Sequence, residues 1–149
     1  MNLHIWEEDF LFRQFLQSSL YSPERVALMS NPISSKVIGI IGVGHLGKKH
    51  LVNVLNHPTA ICAGFYDIDS SISKKVAKDT GVYATQSLEE IIEKSDALII
   101  AVPTLDHFSV GKACLEAGKD LFIEKPLCLT LKEADDLVNQ AKTKNVILQ

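Results

Sequence analysis

The sequence predicts an α/β fold, a doubly wound parallel sheet with helices on both faces, and three observations carry that expectation. Short β-branched apolar runs alternate with segments of helical period from Lys36 to Gln149. The runs are apolar throughout rather than on alternate residues, as strands covered on both faces must be. The first of them passes directly into three close glycines that open a helical segment. A length of 149 residues fits one domain with a real core and is short for a two-domain enzyme.

Taken in order, "KVIGIIGVG" reads as the first strand and "HLGKKHLVNVLNHP" as a helix with Leu46, Leu51, Val52, Val54 and Leu55 on one face and Pro58 after its end. "AICAGFYD" is a second strand. "SSISKKVAKDTG" is a helix with a serine start and Gly81 at its stop, and "VYAT" is a brief strand. "SLEEIIEKS" places Ser87 three residues before Glu90, the spacing of a capping box. "DALIIAVP" is a long strand, and "LDHFSVGKACLEAGK" a helix ending at Gly118, where a left-handed residue is wanted. "DLFIEKP" is the next strand, "TLKEADDLVNQAKTKN" repeats the capping box with Thr130 and Glu133, and "VILQ" begins one more strand. Right-handed crossovers are expected between them.

Residues 1–35 differ from this pattern and read as an irregular or helical N-terminal extension and linker. They hold the only Trp, with Trp6, Phe10 and Leu11 or Phe15 at helical spacing, and end in the linker-like "SNPISS". Met29 is the expected native start, with a helix covering exposed apolar surface as the alternative. Residues 36–149 form the expected domain.

A net charge of −3 disfavours a nucleic-acid binder, whose affinity rests on a basic surface. No apolar run approaches the roughly 18–20 residues of a membrane span. Glu7, Glu8 and Asp9 stand where a signal peptide would be basic, so a cytoplasmic location is expected. Cys62, Cys114 and Cys128 are scattered, with no C-x-x-C, and read as buried free thiols in a reducing compartment, with no metal site.

Gly42-Val43-Gly44-His45-Leu46-Gly47 fits G-x-G-x-x-G in the context that gives the pattern force, after a strand and opening a helix. Gly42 suits the tight turn, Gly44 lets a pyrophosphate approach the backbone, and Gly47 lets helix and strand pack closely. The helix-start amides near His45 and Leu46 would point at phosphates. Asp67, 20 residues after Gly47, ends the second strand, where an acid accepts hydrogen bonds from ribose hydroxyls. The pattern is that of a Rossmann-type dinucleotide site. An acid there repels a 2′-phosphate, so NAD is favoured over NADP, although Lys74 and Lys75 lie near. A phosphate loop of the Walker type is excluded, because Lys49 stands where Ser or Thr would bind magnesium.

Val102, Pro103 and Thr104 end the "AVPT" strand, where parallel sheets bind ligands, and would border the cofactor. His107 would sit at the following helix start, as a cleft residue or a partly exposed capping group. Glu124, Lys125 and Pro126 close an apolar strand, a costly place for charges unless they face a site or each other. Lys125 suits polarising a carbonyl or relaying a proton. The alternative is a surface lysine after an edge strand.

"GVGHLGKKHL" and "VPTLDHFSVGKACLEAGKDLFIEKPLCLTLKEADDLV", at their separation, resemble the N-terminal half of the glucose–fructose oxidoreductase / inositol dehydrogenase (Gfo/Idh/MocA) family. The resemblance covers Lys36 to Gln149, and the wording is most similar to sugar-nucleotide dehydrogenases. It implies hydride transfer between NAD or NADP and a sugar, sugar-nucleotide or cyclitol hydroxyl. It implies that Gly42, Gly44 and Gly47 hold the pyrophosphate and Asp67 the ribose. Val102, Pro103, Thr104 and His107 would line the cleft, and Glu124 would lie near the nicotinamide ribose. Lys125 would be the orienting, catalytic lysine, with the Lys125–Pro126 bond cis, and Cys128 would stand where a small residue is usual. Family members continue into a substrate domain and associate as homo-oligomers, so this chain is expected to bind cofactor without turnover. A non-catalytic NAD-binding or subunit-interaction module is the alternative. A methyltransferase-like sheet gives E-K-P and Asp67 no role.

Overall fold

The computed structural model describes residues 35–149. The expectations for Trp6, Phe10, Leu11, Phe15 and Met29 lie outside the described residues. From Lys36 onward strands and helices alternate: β1 (Lys36–Ile41), α1 (His45–Asn56), β2 (Ala60–Tyr66), α2 (Ser70–Thr80), α3 (Leu88–Lys94), β3 (Ala97–Ile100), α4 (Thr104–Glu116), β4 (Asp120–Ile123) and α5 (Leu131–Lys144). The strands form one parallel sheet in the order β2-β1-β3-β4.

Side-chain alternation splits the core into two layers, as a sheet covered on both faces requires. Ile38 and Ile40 of β1, Ala97 and Ile99 of β3 and Phe122 of β4 face one way, onto Leu51 and Val54 of α1 and Val76 of α2. Leu98 and Ile100 of β3 and Leu121 and Ile123 of β4 face the other, onto α3, α4 and α5 through Ile91, Cys114, Leu115 and Leu137. The chain therefore runs outward from β1 on one face, then returns past β1 to β3 on the other. The carboxyl ends of β1 and β3 are adjacent at that reversal, the place where such sheets bind ligands.

Two expected strands are reduced to single parallel bridges. "VYAT" lies beside β2 around the Phe65–Ala84 bridge, with the Phe65 amide donating to the Tyr83 carbonyl and the Thr85 amide to that of Phe65. "VILQ" lies beside β4 around the Leu121–Leu148 bridge, with the Leu121 and Ile123 amides donating to the Ile147 and Gln149 carbonyls and the Gln149 amide to that of Leu121. The first lies in the five residues between the left-handed turn at Gly81 and the Ser87 cap. Its approach to β2 needs Gly64, at φ 117°, where a Cβ would stand 2.5 Å from the Tyr83 carbonyl oxygen.

Helix ends follow local chemistry. Thr130 and Glu133 form the full reciprocal capping box of α5. Ser87 accepts from the Glu90 amide, but the Glu90 carboxylate turns outward to the Gln86 amide and the Tyr83 hydroxyl, so only half of that box forms. The cap of α2 is Asp69 rather than a serine, accepting from the Ser71 and Ile72 amides. Gly81 and Gly118 take left-handed φ values of 70° and 72° after α2 and α4. All three cysteines are free: Cys114 is buried, with its thiol pushed up to about 12 by desolvation, while Cys62 and Cys128 are half-buried. The buried, free character expected of all three holds fully only for Cys114. Among the described residues no helix is long and apolar enough to cross a membrane, and no His/Cys/Asp/Glu group could hold a metal.

Candidate functional site

A cleft of about 650 Å³ opens at the carboxyl ends of β1, β2 and β3. Its wall combines the glycine turn and the start of α1 with Asp67, Ala101, Val102 and Pro103. The glycines differ in what they permit. Gly42 sits at φ 84°, and a Cβ there would lie 2.7 Å from the Ala101 carbonyl oxygen, so the turn crosses the end of β3 at backbone contact. Gly47 packs against the Gly42 carbonyl so closely that any Cβ would overlap it. Gly44 has nothing within 4 Å of a Cβ position; the space beside it is the cleft itself.

That open space faces uncapped amides. Asp69, Ser87 and Thr130 cap α2, α3 and α5 with side-chain hydrogen bonds, whereas α1 begins at Gly44 with none and has no acid in its first turn. Helix α4, which starts after Pro103 at the same rim, also lacks a side-chain cap. A helix start with free N–H groups, no competing carboxylate and room for a ligand has the donor set of an anion site. A dinucleotide pyrophosphate fits that donor set.

Opposite the turn, Asp67 accepts from the Val43 amide (2.8 Å) through one carboxylate oxygen and from the Asp69 amide (2.9 Å) through the other. Each oxygen keeps a lone pair for a hydroxyl donor. Ile68, Ile72 and Leu88 add apolar surface nearby, and Asp69 and Asp106 add acidic groups. The Asp69 carboxyl is held below its usual range first by the Ser71 hydroxyl and then by the Ser71 and Ile72 amides. Lys74 and Lys75 are exposed on α2 and do not line the cleft.

Of the other residues singled out in the sequence, Val102 and Pro103 line the cleft, while Thr104, His107, Glu124 and Lys125 lie outside its wall. His107 is 1% exposed, so the partly exposed alternative is corrected. Its Nδ1 lies 2.9 Å from the Pro126 carbonyl oxygen and its Nε2 2.9 Å from that of Val102. One imidazole thus ties the turn after β3 to the turn after β4. The Lys125–Pro126 bond is cis. Lys125 is exposed, and its ammonium has no ion pair among the described residues.

Glu124 is held by a residue that sequence reading passed over. His50, on the buried face of α1 with Gly47, Leu51 and Val54, places Nε2 2.5 Å from Glu124 Oε1. The His50 hydrogen bond is the main reason the Glu124 carboxyl lies below its usual range, against the opposing effect of burial. A signal existed: at the i+3 position from Gly47, His50 falls among the inward-facing residues of α1, where a polar ring needs a partner.

The profile described as "Oxidoreductase family, NAD-binding Rossmann fold" matches residues 36–149. The chain is 34% identical over 110 residues to UDP-N-acetylglucosamine 3-dehydrogenase of Acidithiobacillus ferrooxidans, covering 74% of this chain and 34% of that protein. It is 32% identical over 114 residues to myo-inositol 2-dehydrogenase of Thermotoga maritima, again covering 74% of this chain and 34% of that protein. A solved structure of the Acidithiobacillus enzyme superposes with a TM-score of 0.72 at 31% identity, covering 76% of this chain and 36% of that one. The chain thus spans about a third of the length of the curated relatives it matches.

Proposed function

Because the chain belongs to the Gfo/Idh/MocA oxidoreductase family, whose NAD-binding domain its residues 36–149 match, we propose that it is the dinucleotide-binding part of a sugar or cyclitol dehydrogenase. The substrate class is a sugar, sugar-nucleotide or cyclitol bearing a secondary hydroxyl, and the preferred cofactor is NAD. On its own, the 149-residue chain binds the cofactor without turning over a substrate.

Nicotinamide, when bound, supplies the acceptor or donor of hydride. The chain's own residues bind and orient. Amides of His45 and Leu46, beside Gly44, receive the pyrophosphate, while Gly42 and Gly47 hold the turn against β3 and α1. Asp67 accepts from the adenosine ribose hydroxyls. Its charge, with that of Asp69, disfavours a 2′-phosphate. Val102, Pro103 and Thr104 border the middle of the cofactor, and His107 keeps that border joined to the turn carrying Lys125. Glu124 faces the second ribose, and Lys125 orients the substrate hydroxyl and moves its proton.

The observation that carries this reading is the uncapped start of α1 beside the open space at Gly44, opposite Asp67. Titration of the 149-residue chain with NADH, followed by cofactor fluorescence, tests it. Gly44→Asp places a carboxylate among the phosphate donors and is expected to abolish saturable binding. Identical curves for the native chain and the variant would sink the reading. Competition between NAD and NADP tests the preference, with NAD expected to displace NADH at lower concentration.

A further inference from the structure

We propose that His50 is a positioning residue for the nicotinamide half of the dinucleotide, acting through Glu124; this rests on the functional reading above. Three observations converge on it. First, the contact is direct and largely buried: His50 Nε2 donates to Glu124 Oε1 at 2.5 Å, with side-chain exposures of 7% and 12%. Second, the imidazole is oriented from its side by Phe122, two residues before Glu124, in an edge contact with centroids 5.4 Å apart. Third, His50 shares α1 with Gly47, which packs on the Gly42 carbonyl. A single helix therefore grips the phosphate turn at Gly47 and the end of β4 at His50.

The consequence for Glu124 is chemical. An unrestrained carboxylate rotates and hydrates both oxygens. Here Oε1 is engaged by His50, and Oε2 accepts only a 3.3 Å contact from the Lys125 amide. Oε2 is the acceptor still able to take a strong bond, and its direction is set from α1. An acceptor-only group with a fixed free oxygen suits a hydroxyl donor, which in a dinucleotide means the diol of the second ribose. The pair spans 74 residues of sequence and joins α1, which opens at the glycine turn, to the residue that follows β4, next to Lys125.

The test uses the 149-residue chain and three ligands: NADH and ADP-ribose, which contain the second ribose, and ADP, which lacks it. His50→Leu keeps the bulk and removes the donor. It is expected to weaken NADH and ADP-ribose about tenfold, the usual scale for a lost hydrogen bond to a charged group, and to leave ADP within about twofold. His50→Gln, whose amide can still donate, is expected to retain most of the affinity for all three. Glu124→Gln should reproduce the His50→Leu pattern and provides the measurement if His50→Leu does not fold. Equal losses for all three ligands would make His50 purely structural and overturn the proposal, as would no loss for NADH. If the native chain binds none of them, the functional reading falls and this role falls with it. Uniform losses in His50→Leu, with a native chain that binds all three, overturn the positioning role alone.

Discussion

The Val43 amide donates to Asp67 Oδ2 at 2.8 Å, bonding the turn after β1 to the acid that ends β2. The acid expected to read a ribose therefore also holds the turn expected to hold the phosphates.

Asp67→Ala is accordingly expected to have two effects. NADH affinity should fall at least tenfold while NADPH is no longer disfavoured, because the repelling charge is gone. Stability should also fall, by about 1–3 kcal/mol, since the Val43 amide is buried and loses its acceptor. Competition titrations and urea unfolding separate the two. A variant with unchanged cofactor ratio would show that Asp67 serves the turn alone.

Alanine at the second and third glycines should act in opposite ways. Gly47→Ala drives a methyl group into the Gly42 carbonyl and is expected to cost about 3 kcal/mol or more, lowering Tm by several degrees or preventing folding. Gly44→Ala meets open space at a negative φ of −65°, so Tm should hold while NADH binding weakens. Thermal unfolding and NADH titration of both variants check the contrast.

The His50–Glu124 pair predicts a component of acid sensitivity. Glu124 is more acidic folded than unfolded, chiefly because His50 donates to it. A depressed carboxyl contributes stability that is complete above its ordinary value and is lost as pH falls through the folded one. That loss sets in at about pH 4.5, where a free glutamate is half protonated, and grows below it. Urea midpoints measured from about pH 6 to pH 3 should fall less steeply in Glu124→Gln than in the native chain. Parallel curves would remove Glu124 from the account.

Thiol chemistry should follow burial. Cys114 is fully enclosed and its thiol is pushed up to about 12, so it carries almost no thiolate at neutral pH. Desolvation also raises Cys62 and Cys128, but both are partly accessible. Under native conditions iodoacetamide is expected to label these two well before Cys114, with peptide mass spectrometry as the readout. Early labelling of Cys114 would mean that the α4 face of the core opens readily.

What the sequence made legible is mostly local. Strand, glycine turn and helix follow one another along the chain, so their spacing carries the fold from β1 to α1. The Thr130–Glu133 box is equally local, and both of its halves form. At Ser87 the same spacing met competition: the Gln86 amide and the Tyr83 hydroxyl take the Glu90 carboxylate. How far "VYAT" pairs depends on its meeting Phe65 of β2, a partner that an apolar pattern does not report. The pairing of His50 with Glu124 and the burial of His107 depend on residues brought together across the sheet. Composition marks such groups as needing partners without identifying them.

The bare starts of α1 and α4 have a consequence for the molecule as a whole. The other described helices finish themselves with their own side chains, whereas the two at the cleft rim have no side-chain cap. A phosphate seated at α1 would be the missing piece of a helix as much as a guest. Occupancy and folding then draw on the same free energy, and the concentration of ligand becomes a variable of stability. The end of the sheet most open to a dinucleotide is, by the same geometry, where the helix starts are least finished by their own side chains.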